Sequence, residues 1–199
     1  MVENTAASNQ QLHQQLRQQL RDRRRKLSEQ QQQQAAKSLA DTILASKLLQ
    51  QQQDIALYLA NDGEIDPAPL LSILCGQGRR CYLPVIQPDK TLRFAIYQPG
   101  DELKTNHFGI PEPITADQRE PQSMDLVFMP LVGFDRKGGR LGMGGGFYDR
   151  SFNVAKLPLK QPQLVGLAHQ CQQVESLVLN SWDIPLSLIA TDEEIISAN

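Results

Sequence analysis

The sequence predicts an α/β protein, and three observations carry that expectation. Short apolar runs of strand length alternate with segments of helical period. The most apolar run, DLVFMPLVGF at residues 125–134, shows little alternation, as a central strand covered on both faces requires. Glycines, prolines and Asx residues mark the junctions between these runs. A chain of 199 residues hides about 70% of its extended surface on folding, which suffices for one core without metal or disulfide staples. One domain is therefore expected over residues 1–199, with a flexible start at 1–9.

The elements follow in order. Leu12, Leu16 and Leu20 recur every four residues and mark one stripe of a first helix whose other faces carry Gln and Arg. Ser28 and Gln31 have the S-x-x-Q form of a capping box, so a second helix starts there and continues through Leu39, Ile43 and Leu44. Residues 54–60 read as a strand ending in the turn former Asn61-Asp62-Gly63. Asp66-Pro67 reads as an N-cap followed by Pro at the first helical position, with Gly76 at the far end. Residues 80–86 and 92–97 are two more strands around a Pro88-Asp89 turn, and the proline-bearing stretch 99–122 is expected to be a long surface loop. Helix can resume at Phe147. Residues 163–169 and 186–190 supply late strands, and Thr191 to Glu194 has the T-x-x-E form of a last helix cap. The alternation indicates a three-layer α/β/α sheet.

Charge and composition narrow the function. Twenty Lys and Arg against 22 Asp and Glu leave a net charge of -2, which provides no field for drawing in nucleic acid or an anionic membrane. Three cysteines without CxxC spacing read as reduced thiols. The polar start and the lack of an apolar run near the ~20 residues of a membrane span point to the cytoplasm. His107 and His169 have no partners at zinc-ligand spacing, and Cys171 lacks a third group to make it a nucleophile with His169.

The densest chemical signal is residues 138–150, GGRLGMGGGFYDR. Glycines between a buried strand and a helix start can leave backbone amides bare and wrap them around an anion, and Arg140 and Arg150 add forked donors for phosphate. The segment has neither the Gly-Lys-Ser/Thr close of a Walker A loop nor the G-x-G-x-x-G pattern. A plain turn between strand and helix remains the alternative on glycine content alone.

The run FMPLVGFDRKGGRLGMGGGFYDR closely resembles the signature of the 5-formyltetrahydrofolate cyclo-ligases, also called 5,10-methenyltetrahydrofolate synthetases. The resemblance extends to the basic first helix, YLANDGEID, FGIPEP and WDIPLSLIAT, in the expected order. It implies a Rossmann-like α/β/α enzyme that uses ATP and Mg²⁺ to close 5-formyltetrahydrofolate into 5,10-methenyltetrahydrofolate, releasing ADP and phosphate. A monomer acting on small molecules in the cytoplasm, without nucleic-acid or membrane partners, is the corresponding expectation. The family route phosphorylates the formyl oxygen and closes the ring through N10.

By the same resemblance, Arg140, Leu141, Gly142, Met143, Gly144, Gly145, Gly146, Phe147 and Tyr148 hold the ATP phosphates, with Arg140 and Tyr148 as the catalytic pair. Met143 to Phe147 also face the folate, together with Leu59, Glu64 and Phe108. His13 and Arg17 reach the nucleotide from the first helix, His13 standing where relatives often carry Lys. Relatives also carry Arg, Lys and Tyr where this chain has Met143, Gly145 and Phe147. Asp149 and Asp183 match magnesium ligands, and hard carboxylate oxygens suit that ion. Blander readings stand beside these: Asp149 as a helix-start acid, Asp183 as an Asx turn, Glu64 as an exposed loop acid and Phe108 as a loop anchor. Arg23, Arg24 and Arg25 read as a solvated helix face, with the folate polyglutamate tail as the alternative contact. A noncatalytic sensor of a phosphate ligand is the second functional reading.

Overall fold

The structure is a computed structural model; it describes residues 2–152, 161–178, 184 and 186–198, without the side chains of 2–9. Two helices, α1 (Val2–Arg25) and α2 (Glu29–Ala45), precede β1 (Asp54–Ala56), α3 (Ala68–Gly76), β2 (Arg80–Ile86) and β3 (Leu92–Ile96). A middle segment carries β4 (Leu103–Thr105), β5 (Pro111–Pro113) and β6 (Gln118–Arg119). The chain continues through β7 (Leu126–Pro130), β8 (Gly133–Phe134), β9 (Arg140–Leu141), α4 (Phe147–Ser151), β10 (Gln163–Leu167), β11 (Leu188–Ala190) and β12 (Ile195–Ser197).

Eight strands form one sheet in the order β12-β11-β10-β7-β1-β2-β3-β6. The strands from β11 to β2 are parallel, and the pairings at both margins are antiparallel. Ile55, Ala56, Leu126, Val127 and Phe128 are fully buried, so the centre of the sheet is covered on both faces as the unbroken apolar runs require. On one face Leu39, Ile43, Leu70 and Leu74 of α2 and α3 pack on Ile55, Leu126 and Val165. On the other, Phe152 after α4 packs with Tyr82, Phe94 and Val127. The mixed α/β architecture is the one expected. No described helix is long and apolar enough to cross a membrane.

The topology places a crevice. From β1 the chain crosses through α3 to β2 on one side, and β7 later returns to pair with the opposite side of β1. The winding reverses between β1 and β7, and ligands of open α/β sheets bind beyond the carboxyl ends of the strands at such a reversal.

Several local expectations are corrected. The buried face of α1 consists of His13, Leu20 and Arg24; Leu20, with Leu16 beside it, packs against Val132, Leu141 and Leu177, while Leu12 is 51% exposed, so the expected leucine stripe holds at two of its three positions. Arg24 is fully buried while Arg23 and Arg25 stay exposed, so the solvated reading of the basic run fails at its middle residue. Pro67 rather than Asp66 occupies the cap position of α3, although Asp66 Oδ1 still accepts the Ala68 N–H at 2.9 Å. Residues 125–134 divide into β7 and β8, and only the first belongs to the large sheet. The expected 99–122 loop contains the β4–β5 hairpin. Its backbone bonds at Asn106–Ile110 and Ile114–Glu102 put Pro111 and Pro113 at non-bonded positions, where the missing N–H costs no ladder bond. The Thr191 hydroxyl accepts the N–H groups of Glu193 and Glu194 at 3.1 and 3.0 Å, but β12 follows, pairing with β11, and no helix forms.

The second helix starts as the sequence requires: the Gln31 N–H reaches Ser28 Oγ at 3.3 Å, and the Ser28 N–H reaches Gln31 Oε1 at 2.8 Å. Ser28→Ala removes half of this box and is expected to cost about 1 kcal/mol. Differential scanning calorimetry should find the melting temperature lowered by roughly 2–4 °C in a chain of this size.

Candidate active site

The glycine segment is shaped by a buried acid. Asp135, following β8, accepts the N–H groups of Lys137 and Gly139 on Oδ1, both at 2.9 Å, and that of Leu177 on Oδ2 at 2.8 Å. Gly138 has φ +85°, and a Cβ there would collide with the Leu186 carbonyl. Backbone and carboxylate together fold residues 135–139 into the turn that lets β9 pair with β8. Arg140 thereby emerges with Nε donating to the Ile184 carbonyl at 2.9 Å and its guanidinium paired with Asp149 on α4. Beyond β9, Arg17 of α1 donates from Nε to the Gly142 carbonyl at 2.8 Å. Arg150 donates to the Gly145 carbonyl and, at 3.1 Å, to that of Lys90.

The second wall is the turn after β1. Asp62, at φ +55°, receives hydrogen bonds from Arg21, Arg24 and Arg25 of α1. Burial opposes its ionisation, but these guanidinium bonds hold its carboxyl down at about 2. Glu64 stands two residues on, its side chain 11% exposed, with the Asn61 N–H on Oε2 at 3.2 Å and Arg24 Nη2 at 3.6 Å from Oε1. Burial pushes the Glu64 carboxyl up to about 7 against the pull of Arg24 and the Asn61 N–H. Tyr58 donates to the Ile65 carbonyl at 2.8 Å. Burial, reinforced by the Glu64 charge, raises the phenols of Tyr58 and Tyr148 above their ordinary range.

The β4–β5 hairpin supplies the third wall. Asn106 Oδ1 accepts the N–H groups of Phe108 and Ile110 at 2.9 and 3.1 Å, shaping the tip. Glu112 ties the hairpin to the sheet, accepting the Ile86 N–H at 3.0 Å and the Asn106 amide at 2.7 Å. Phe108, 48% exposed, meets Phe147 edge to face at 5.5 Å between ring centres.

These walls enclose a cavity of about 710 Å³ at the carboxyl ends of β1, β2 and β7. It is lined by His13, Arg17, Leu59, Glu64, Phe108, Arg140, Leu141, Gly142, Met143, Gly144, Gly145, Gly146, Phe147, Tyr148 and Asp149. Every expected site residue within the described chain thus borders one space. Asp183 lies outside the described residues, as do its neighbours 181, 182 and 185. His13 is buried, with Nε2–H donating to the Val178 carbonyl at 2.8 Å, so it props α1 against the segment before residue 179.

Sequence reasoning missed Tyr58, Pro84, Ile86 and Glu112 in the lining, and Asp135 behind it. Asp135 alone carried a local signal, an acid two and four residues before the backbone groups it caps.

A sequence model described as the 5-formyltetrahydrofolate cyclo-ligase family matches residues 9–192. The chain belongs to that family. Among curated members of the cyclo-ligase family, the Haemophilus influenzae 5-formyltetrahydrofolate cyclo-ligase is 45% identical over 152 residues, covering 71% of this chain and 78% of that one. The Escherichia coli K12 protein of the same name is 41% identical over 178 residues, covering 87% and 96%. The solution structure of Aquifex aeolicus 5,10-methenyltetrahydrofolate synthetase superimposes with a TM-score of 0.81 at 27% identity, covering 94% and 93%. The Mycoplasma pneumoniae synthetase gives 0.72 at 25% identity, covering 90% and 98%. This cyclo-ligase family chain thus shares both sequence and architecture with proteins named for ring closure of a formylated folate.

Proposed function

We propose that this protein converts 5-formyltetrahydrofolate and ATP into 5,10-methenyltetrahydrofolate, ADP and phosphate. The observation that carries the reading is the convergence of the glycine segment, Glu64, Phe108 and Arg17 on one cavity, in a chain whose relatives bear that activity in their names. Those names denote ligases and synthetases, which favours the enzyme over a noncatalytic phosphate sensor.

The chemistry follows from the groups available. A formamide oxygen is a poor leaving group, so its carbon resists attack by N10. Transfer of the ATP γ-phosphoryl group forms a bond from the formyl oxygen to phosphorus and releases ADP. N10 then bonds to the activated carbon and loses its proton to solvent, the carbon–oxygen bond breaks and phosphate departs. Such a transfer asks the protein for positioning and charge compensation more than covalent help. In the proposed arrangement Arg140 and Arg17 face the phosphates across the glycine loop. Glu64 accepts N–H groups of the reduced pterin, while Phe108 and Phe147 cover its ring. Phe147 has no phenol, so orientation of the formyl group falls to neighbouring backbone and to Tyr148.

Asp149 borders the cavity and presents an anionic oxygen that Arg140 neutralises in this structure. One carboxylate suits a Mg²⁺ ion that keeps several waters and binds substrate phosphates, and Asp183 is the second proposed ligand. When bound, the ion neutralises phosphate charge. The protein is proposed to act as a cytoplasmic monomer. With 5-formyltetrahydrofolate, Mg²⁺ and ATP, the near-ultraviolet band of the methenyl product should grow in an ATP-dependent manner. No growth with enzyme at substrate-like concentration would reject the reading.

A further inference from the structure

One fully buried, multiply bonded charged side chain near the cavity is left unused by the reaction scheme. Arg24 has 0% exposure and lies at the C-terminal end of α1. Its Nε donates to the Asp62 carbonyl at 2.9 Å, and Nη2 donates to Asp62 Oδ2 at 3.0 Å and lies 3.6 Å from Glu64 Oε1. Nη1 donates to the Leu131 carbonyl at 3.2 Å, just past β7. A buried guanidinium persists only where its donors are met, and these acceptors come from the segments that follow β1 and β7, the two strands between which the winding reverses.

The backbone around it is fitted to the same contact. Gly63 adopts φ +72°, and a Cβ there would touch Arg24 Cγ and O and Arg25 Cα, each at 3.5 Å. Gln32 of α2 donates to the Arg24 carbonyl at 2.9 Å and to the Gly63 carbonyl at 3.4 Å. Gln172 donates to the Leu131 and Val132 carbonyls, both at 2.8 Å, bracing the far acceptor.

We propose that Arg24 is the positioning residue of the folate half of the site: its guanidinium ties the Asp62–Glu64 turn to α1 and to the end of β7, and so holds the Glu64 carboxylate in the cavity wall. This rests on the reading of Glu64 as the folate-facing acid. The planar fork matters as much as the charge, because three acceptors from two segments lie within reach of one group whose geometry is fixed.

The test measures KM for each substrate separately in Glu64→Gln, Arg24→Gln and the double variant. Loss of a hydrogen bond to a charged group is worth on the order of tenfold or more. Glu64→Gln should raise the folate KM about thirtyfold, and Arg24→Gln about tenfold, each leaving the ATP KM within about twofold. The double variant should match Glu64→Gln within about twofold, since the second change removes nothing the first had left. Arg24→Lys should recover part of the loss.

A pH profile of kcat/KM for folate supplies a readout that loosened packing would leave in place. The groups facing Glu64 are Arg21 and Arg24 on α1, Asp62 in the turn, Tyr58 after β1 and Tyr148 on α4. Folate capture should improve as Glu64 ionises near pH 7, and Arg24→Gln should move that rise to higher pH. Where Arg24→Gln does not fold, Asp62→Asn tests the same tie: a severalfold rise in folate KM is expected with the pH rise moved lower, because a neighbouring negative charge is gone.

Equal losses for both substrates, or a double variant whose defect is the product of the singles, overturn the proposal, as does an unchanged folate KM in Asp62→Asn. A folate defect in Glu64→Gln with none in Arg24→Gln also overturns it while leaving the folate role of Glu64 intact. An unchanged folate KM in Glu64→Gln removes that role and the proposal together.

Discussion

Arg140→Ala should raise the KM for ATP on the order of a hundredfold while the folate KM stays within about threefold. A forked, charge-assisted contact to phosphate in a partly dry site is worth roughly 2–3 kcal/mol, which is about thirtyfold to more than a hundredfold in affinity. The upper end is expected because the substitution also leaves Asp149 without the guanidinium that neutralises it, so an uncompensated negative charge faces the incoming triphosphate. Arg140→Lys, which keeps the charge but loses the fork, should fall between the two. Steady-state kinetics with each substrate varied in turn decides the matter. Equal losses for ATP and folate would mean that Arg140 only shapes the cavity through its bond to Ile184.

Asp135→Ala should give the largest loss of stability. Three N–H groups, two of them within the turn before β9 and one at Leu177, have this carboxylate as their acceptor, and the side chain is 3% exposed. Alanine leaves all three without that acceptor, at about 1–3 kcal/mol for each buried donor that water cannot reach. Partial relaxation brings the expected total to about 3–5 kcal/mol. Urea unfolding monitored at the single tryptophan should show the midpoint falling with an unchanged slope. Asp135→Asn retains one acceptor oxygen and should lose less. A midpoint unchanged in Asp135→Ala would show that water or a shifted loop satisfies the turn.

What the chain order revealed, and what it concealed, divides by distance along the sequence. The capping box at Ser28 and Gln31 was legible because both partners lie within one turn, and β2 was legible because its apolar run is continuous. The glycine segment announced itself by composition, and the family resemblance joined it to Glu64 and Phe108. Arg24 was read as solvated because the run Arg23-Arg24-Arg25 looks uniform. Which of the three is buried depends on acceptors 38 and 107 residues away. Glu112 gave no sign of its contact with Ile86, since hairpin β4–β5 could be placed only after the sheet existed. The T-x-x-E at Thr191 misled for the opposite reason: its hydroxyl captures the same amides that a helix start would offer, and the free edge of β11 claims the following residues.

Arg17 and Gly142, which meet across the cavity, are 125 positions apart in the chain. No fragment lacking either residue can assemble the complete pocket, so a growing polypeptide has no competent form of the proposed nucleotide site until the segment carrying Gly142 has left the ribosome. Whatever binds there stabilises α1 and the glycine segment at once, by an amount set by its concentration relative to its dissociation constant. Protection of α1 from proteases should accordingly rise with ligand, although α1 is synthesised well before the glycine segment.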